Sequence, residues 1–252
     1  MKIIERKEDS LVMEAEIDET LANALRRYLN HIPVVAVDEV EIIKNDSPLY
    51  DETVAHRIGL IPLKMDKVLK KDAKVKLVAK KDGMVYSGEL TGEAKSVYGK
   101  MPITFLNKGQ EFEINAVTKV GKGIEHSKFS PGIMFYRNVS EITVDKDLQN
   151  EIKKALPNYE IKERGNKIVI LDNKKHEVGD ICDNIASEHK KKAEVEFKDN
   201  LIITVESFGQ MSSEDIFKKS IEELREDLSE FSKKIRTRKS TPNLAYFLTR
   251  KV

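Results

Sequence analysis

Five histidines, one cysteine and a run of acids are the residues of this sequence whose types could do chemistry. His31, His56, His126, His176 and His189 stand far apart, and none forms H-E-x-x-H or another i, i+4 pair able to offer two imidazoles to one metal ion. No metal site is expected. Asp38, Glu39, Glu41, Asp51, Glu52 and His56 lie close in sequence and contain the acid, base and ligand types of a carboxylate-dependent hydrolase. Against that reading, Asp38-Glu39 sits in a strand pattern, which sends adjacent side chains to opposite faces. Solvated strand edges and helix caps account for the same acids. Cys182, the only cysteine, excludes an internal disulfide, a cysteine-based zinc site and a four-thiolate iron–sulfur cluster within this chain. In DICDNIA it falls on the inward face of a helical pattern and reads as a small core residue rather than a nucleophile. There is no P-loop, GxGxxG or GxSxG. No catalytic residue and no resident cofactor is therefore expected.

The elements that would position these residues can be read from periodicity. In SLVMEAEI, Leu11, Met13, Ala15 and Ile17 alternate with Val12, Glu14 and Glu16, as in a half-buried strand. Asp18 is a candidate N-cap for a helix in which Leu21, Ala24, Leu25, Tyr28 and Leu29 share one face, and Pro33 stops it. VVAVDEVEII is β-branched and reads as a strand, with Val35, Val37 and, after an irregularity, Val40 and Ile42 toward a core. Residues 2 to 43 thus predict strand, strand, helix, strand. From about 46 to 143 short strands with turn signals predict a mainly antiparallel β module. Asp82-Gly83 is its clearest hairpin turn, between KVKLVAK and MVYSGEL, with FEINAVTKV and IMFYRNVSEITV as further strands. From about 145 to 199, DLQNEIKKAL reads as helix, YEIKERGNKIVIL as a hairpin turning at Gly165-Asn166, and VGDICDNIASEHKKK as helix. LIITVES returns to strand, and Ser212 with Asp215 stands at capping-box spacing before the last helix.

That helix carries the strongest periodic signal. Phe217, Ile221, Leu224, Leu228, Phe231 and Ile235 form a narrow 4,3 seam near the 3.5-residue heptad period. A core helix lying on its own sheet and a helix facing a partner chain both fit it. The tail that follows contains Arg236, Arg238, Lys239, Arg250 and Lys251 without an acid, a run read as a solvated terminus or as a contact for nucleic acid or an acidic partner face.

Whole-chain arithmetic bounds the function. At 252 residues and 28.8 kDa the chain is long enough for one large domain or two to three small ones. Lys+Arg 44 against Asp+Glu 43 gives a net charge of +1, so any nucleic-acid or membrane contact must be local. The composition is 40% apolar and 35% charged, that of a well-solvated globular protein, not of bulk disorder. No run of about 18 apolar residues exists, and the charged N-terminus lacks the apolar core of a signal peptide, so no membrane span or secretory entry is expected. One cysteine fits a reducing cytoplasm.

The run LANALRRYLNHIPVVAVDEVEIIKNDSPLYDETVAHRIGLIPL, residues 21 to 63, closely resembles the signature of the α-like family of assembly subunits of cellular RNA polymerases, most of all its archaeal branch. EHSKFSPGIMFYR, residues 125 to 137, resembles the family's H-x-K-[WF]-S-P segment, and VESFGQMSSEDIFKKSIEEL its returning strand and terminal helix. The resemblance spans residues 1 to 235.

The resemblance implies an α+β chain with a discontinuous dimerisation domain, residues 1 to 45 and 200 to 235. It is interrupted by a β-rich domain, 46 to 144, and a small ferredoxin-like α+β insertion, 145 to 199, with a basic tail at 236 to 252. Leu21, Leu25, Tyr28, Phe217, Ile221, Leu224, Leu228 and Phe231 would face the family's smaller α-like subunit, called L. His56, Arg57, His126, Lys128, Ser130 and Pro131 would lie on surfaces for other small subunits and the large subunit, and DNA would be met only through the complex. Many relatives hold an iron–sulfur cluster in the ferredoxin-like insertion, whereas only Cys182 stands there, so the cluster is expected absent and the insertion to fold on Ile152, Leu156, Ile168, Ile170, Ile181 and Ile185. The implied function is a noncatalytic scaffold. The alternatives are a free-standing hydrolase using Asp38, Asp51, Glu52 and His56, and a homodimeric nucleic-acid module using Arg26, Arg27 and the tail.

Overall fold

A computed structural model of the chain describes residues 1–65, 72–174 and 176–239, with side chains to residue 235. The N-terminal expectation holds. Strands β1 (Lys2–Arg6) and β2 (Ser10–Ala15) pair antiparallel, then come helix α1 (Glu19–Tyr28) and strand β3 (Pro33–Asn45). Helix α2 (Asp51–Gly59) follows, then strands β4 (Lys74–Ala79), β5 (Gly83–Tyr86), β6 (Thr91–Gly92), β7 (Pro102–Leu106) and β8 (Phe112–Lys122). Strand β9 (Gly132–Asp145) leads to helix α3 (Gln149–Ala155), the hairpin of β10 (Ile161–Arg164) and β11 (Lys167–Asp172), and helix α4 (Gly179–Glu188). Strand β12 (Glu194–Ser207) and helix α5 (Ser213–Lys239) close the described chain.

Two sheets organise these elements. A six-stranded antiparallel sheet has the order β1-β2-β12-β9-β11-β10, and a four-stranded one the order β3-β8-β4-β6, beside a two-stranded β5-β7 pair. Alternation along β9 serves two cores on one side. Met134 and Tyr136 pack with Leu11, Met13, Leu25, Leu29, Leu201, Ile203 and Val205 under α1 and α5, while Ile142 and Val144 pack with Ile152, Leu156, Ile168, Ile170 and Cys182 under α3 and α4. The four-stranded sheet buries Val35, Val37, Val75, Leu77, Phe112 and Ile114 with Val54 and Ile58 of α2, and Val40 and Ile42 pack against them between register shifts at Asp38 and Ile43.

Several expectations are corrected. Residues 132 to 144, grouped from the sequence with the β-rich module, pair with β12 and β11 instead. Val12, expected on the polar side of β2, is fully buried with Val139 and Ile202 on the sheet's opposite face. Asp82-Gly83 does turn the chain, with Gly83 at φ +121, but no hairpin results: β4 pairs with β8 and β6, and β5 with β7. The face of β4 carrying Val75, Leu77 and Ala79 is buried, and its core is completed by strands distant in sequence. Helix α2 has no counterpart in the sequence reading, because its N-cap Tyr50 makes no side-chain cap and only Val54 and Ile58 are buried. Ile181 is 39% exposed, and Cys182, Ala186 and Val178 supply the inward face of α4 instead.

Candidate functional site

The Asp18 carboxylate caps α1, accepting from the Leu21 amide at 2.7 Å, with Glu19 in the first turn and Arg26 and Arg27 in the last, all favourable to the helix dipole. Ala22, Leu25 and Leu29 turn inward, so the neighbouring stripe with Leu21, 41% exposed, faces outward. Tyr28 bridges the two helices: its hydroxyl donates to Asp227 of α5 at 2.8 Å, and its ring stacks on His31. The bond to the Asp227 carboxylate holds the phenol above its ordinary pKa.

Helix α5 is capped by Ser212, whose hydroxyl accepts from the Asp215 amide at 3.1 Å. Its first turns bury Ser213, Ile216, Phe217 and Ser220, and Ile221 and Leu224 pack on the same core. Lys122 reaches Glu223 at 3.1 Å and pins the helix to the end of β8. From Arg225 to Ile235 every residue is exposed. Leu228, Phe231 and Ile235 stand at 58%, 63% and 44% exposure on the turns that follow the Tyr28–Asp227 bond. The seam is thus divided along its length: the half through Leu224, with Leu25, serves the chain's own core, whereas Leu228, Phe231 and Leu21 present unburied apolar surface. Arg236, Arg238 and Lys239 continue the helix backbone, and Arg250 and Lys251 lie outside the described residues.

The second predicted surface is divided, with Lys128, Ser130 and Pro131 turned inward and His56, Arg57 and His126 exposed. Lys128 places its ammonium 2.7 Å from Asp38, lies over the Phe129 ring and is 14% exposed. That hydrogen bond holds the Asp38 carboxyl below the usual range. The Ser130 hydroxyl donates to Asn30 or to the Gly132 carbonyl, each at 3.0 Å, and the Pro131 carbonyl accepts from the Phe208 amide. Phe129 is buried with Val34 and Ala36. These residues stitch the loop before β9 to the turn after α1, to β3 and to the residue following β12. His126 stays exposed, its Nδ1 accepting from the Lys128 amide. His56 and Arg57 project from the last turn of α2, Arg57 donating to the Ile103 carbonyl at 2.9 Å.

The acids proposed for hydrolysis do not converge. Asp38 is paired with Lys128, Asp51 accepts from Asn45 at 2.7 Å, and Glu41 accepts from Asn115 at 3.3 Å. Among the described residues no three of His, Cys, Asp and Glu gather as a metal site. The donors also do not fit an iron–sulfur cluster, since Cys182 is fully buried and its thiol is pushed up to about 11 by burial and by the Asp172 charge. No helix of the described residues is long and apolar enough to cross a membrane.

One polar device escaped the sequence reading. Asp172 is fully buried and accepts from Arg137 at 2.8 Å and from the Val178 amide at 3.0 Å, while Arg137 also donates to the Lys174 carbonyl at 2.7 Å. It ties the loop entering α4 to the middle of β9. Nothing in the local pattern of FYRNVS distinguishes Arg137 from a solvated strand residue.

A family model described as the RNA polymerase Rpb3/Rpb11 dimerisation domain matches residues 12–228. Curated relatives agree. The chain is 40% identical over 161 residues to "DNA-directed RNA polymerase subunit Rpo3" of Thermococcus kodakarensis, a match covering 58% of this chain and 62% of that one. With the protein of the same name from Pyrococcus horikoshii it shares 34% over 242 residues, covering 86% of this chain and 90% of the relative. With that of Methanobrevibacter smithii it shares 30% over 252 residues, covering 88% and 91%.

Proposed function

The chain belongs to the RNA polymerase Rpb3/Rpb11 dimerisation-domain family, and on that premise we propose that it is a noncatalytic assembly subunit of a DNA-directed RNA polymerase, of the archaeal α-like type. It heterodimerises with the small α-like subunit L, and the pair then gathers other small subunits and the large subunit. Nucleotide addition takes place in the large subunits, DNA is met only through the complex, and the chain works in the cytoplasm without a cofactor of its own. The discontinuous domain at 1 to 45 and 200 to 235, with β9 beside β12 in its sheet, forms the dimer, and the segments 46 to 131 and 146 to 199 are carried on it.

The observation that carries this reading is the free end of α5. Leu228, Phe231 and Ile235 are spaced for one helix face, exceed 40% exposure, and lie in line with residues that pack normally in the same helix. An apolar stripe that its own chain leaves uncovered loses free energy to water until a partner covers it. Leu21 and the outer stripe of α1 extend that surface, so the partner receives parts of both helices. In contrast, Leu25 and Phe217, and to a lesser degree Ile221 and Leu224, support the platform from inside.

The test is co-expression with the matching small α-like subunit, followed by native mass spectrometry of the purified complex. A one-to-one heterodimer is expected, lost when Leu228 and Phe231 are both changed to Lys, with the variant chain still folded. A chain that stays monomeric or self-associates in the presence of the small subunit overturns the proposal. Leu224→Lys is the poorer control because it damages the chain's own core as well.

A further inference from the structure

Leu228, Phe231 and Ile235 form an exposed stripe that, at 1.5 Å of rise per residue, runs about 10 Å along α5. Charge is sorted along the same helix. Residues 222 to 230 carry Glu222, Glu223, Glu226, Asp227 and Glu230 against Arg225, whereas residues 233 to 239 carry Lys233, Lys234, Arg236, Arg238 and Lys239 and no acid.

The chain continues from Lys239 as STPNLAYFLTRKV, residues 240 to 252, outside the described residues. Its residue types are ordered too. Residues 240 to 249 bear no charge and include Leu244, Tyr246, Phe247 and Leu248, and Arg250 and Lys251 then follow. Pro242 disfavours the helical region for Thr241 and so opposes simple continuation of α5 in its own direction.

We propose that this C-terminal segment turns back along α5 and covers the stripe of Leu228, Phe231 and Ile235 in the free chain, until the small α-like subunit displaces it. Reach, tether and charge order each support this. Extended backbone advances about 3.3 Å per residue, so residues 244 to 248 span about 13 Å, and a return from Pro242 sets them beside the stripe. The same return brings Arg250 and Lys251 level with the acidic turns, while the uncharged part passes the basic turns without adding like charge. The segment is attached four residues beyond Ile235, so it meets the stripe at an effective concentration of roughly millimolar, which no separate chain matches at ordinary concentrations. Covering the stripe removes apolar surface from water and keeps unassembled chains from sticking to one another. A partner then binds only the uncovered fraction, and its apparent affinity falls by that fraction. This inference rests on the proposed role as an assembly subunit, whose partner takes the same stripe.

The test is fluorescence. The chain contains no tryptophan, so Phe247→Trp in the full chain supplies a single indole reporter. In the free chain its emission should lie at shorter wavelength than in the urea-unfolded chain. The shift should vanish in an L228K/F231K background and on saturation with the small subunit. Deleting residues 240 to 252 should tighten heterodimer formation about tenfold, the change expected when the uncovered form rises from about one chain in ten to all of them. Emission of the free native chain equal to that of the unfolded one overturns the inference, and so does a shift that survives L228K/F231K, a shift that persists in the heterodimer, or an affinity unchanged by the deletion. Each of those outcomes leaves the assembly role intact. A shift that L228K/F231K abolishes, in a chain that forms no heterodimer, supports the covering contact and overturns the assembly reading instead.

Discussion

Cys182 and Asp38 show how far environment sets the chemistry of a residue. Burial and the nearby Asp172 charge push the Cys182 thiol up to about 11, so at pH 8 only about one thiol in a thousand is ionised, and that one is shielded. An aromatic disulfide reagent at pH 8 should therefore leave the native chain unmodified and titrate one thiol after denaturation; rapid native labelling would contradict the packing of α4. Asp38 behaves in the opposite sense. Lys128 holds its carboxyl below the ordinary value of 3.8, so the pair contributes stability above that value and loses it as pH falls through the depressed one. Asp38→Asn should cost up to about 1 kcal/mol in denaturant unfolding at pH 7, the scale of a partly exposed ion pair, and the gap from wild type should close as pH falls through the depressed value. The type and spacing of His126, Lys128 and Ser130 were legible as a motif, but their direction was not. Lys128 turns inward because Phe129 and β3 give its stem and charge a place to rest.

At the scale of elements, α5 changes role halfway along. Its 4,3 spacing is continuous from Phe217 to Ile235, yet the covering strands β2, β12 and β9 extend only beneath its first part. Ile216→Ala should lower the stability of the isolated chain by about 2 to 5 kcal/mol, whereas Phe231→Ala should change it by less than about 0.5 kcal/mol, as measured by urea unfolding. Equal effects would mean that the distal turns pack on the chain after all. The module of α3, β10, β11 and α4 depends on a different device. Removing one partner of the buried Arg137–Asp172 pair strands a charge, so Asp172→Ala should cost about 3 to 5 kcal/mol and appear in hydrogen exchange as earlier opening of residues 172 to 186. Helix α2 was hidden from periodicity by its shortness and by its two-residue buried stripe, Val54 and Ile58.

For the whole molecule, the six-stranded sheet is the frame that makes a discontinuous chain one body. β12, from the C-terminal third, is inserted between β2 and β9, so the two ends of the sequence meet in its centre. Helices α1 and α5 ride together on that sheet and hold the exposed stripe at a fixed place. If the proposed heterodimer forms there, its melting temperature should rise with protein concentration, while that of the L228K/F231K chain should not, because only association links stability to mass action. Scanning calorimetry across a hundredfold concentration range reads this directly.

What the sequence by itself determined was local: the strands and helices of both ends, the Asp18 and Ser212 caps, the Gly165 turn, the lone cysteine, and a motif specific enough to carry a family resemblance. Each depends on residues within a few positions of one another, where backbone geometry translates spacing into shape. Tertiary structure alone decided the partners of β4 and β5, the place of β9 in the larger sheet, the burial of Val12, the Arg137–Asp172 pair and the division of the seam at Leu224. Those outcomes depend on which distant segment covers a face, and an apolar stripe has the same spacing whether it meets its own sheet, a partner helix or water.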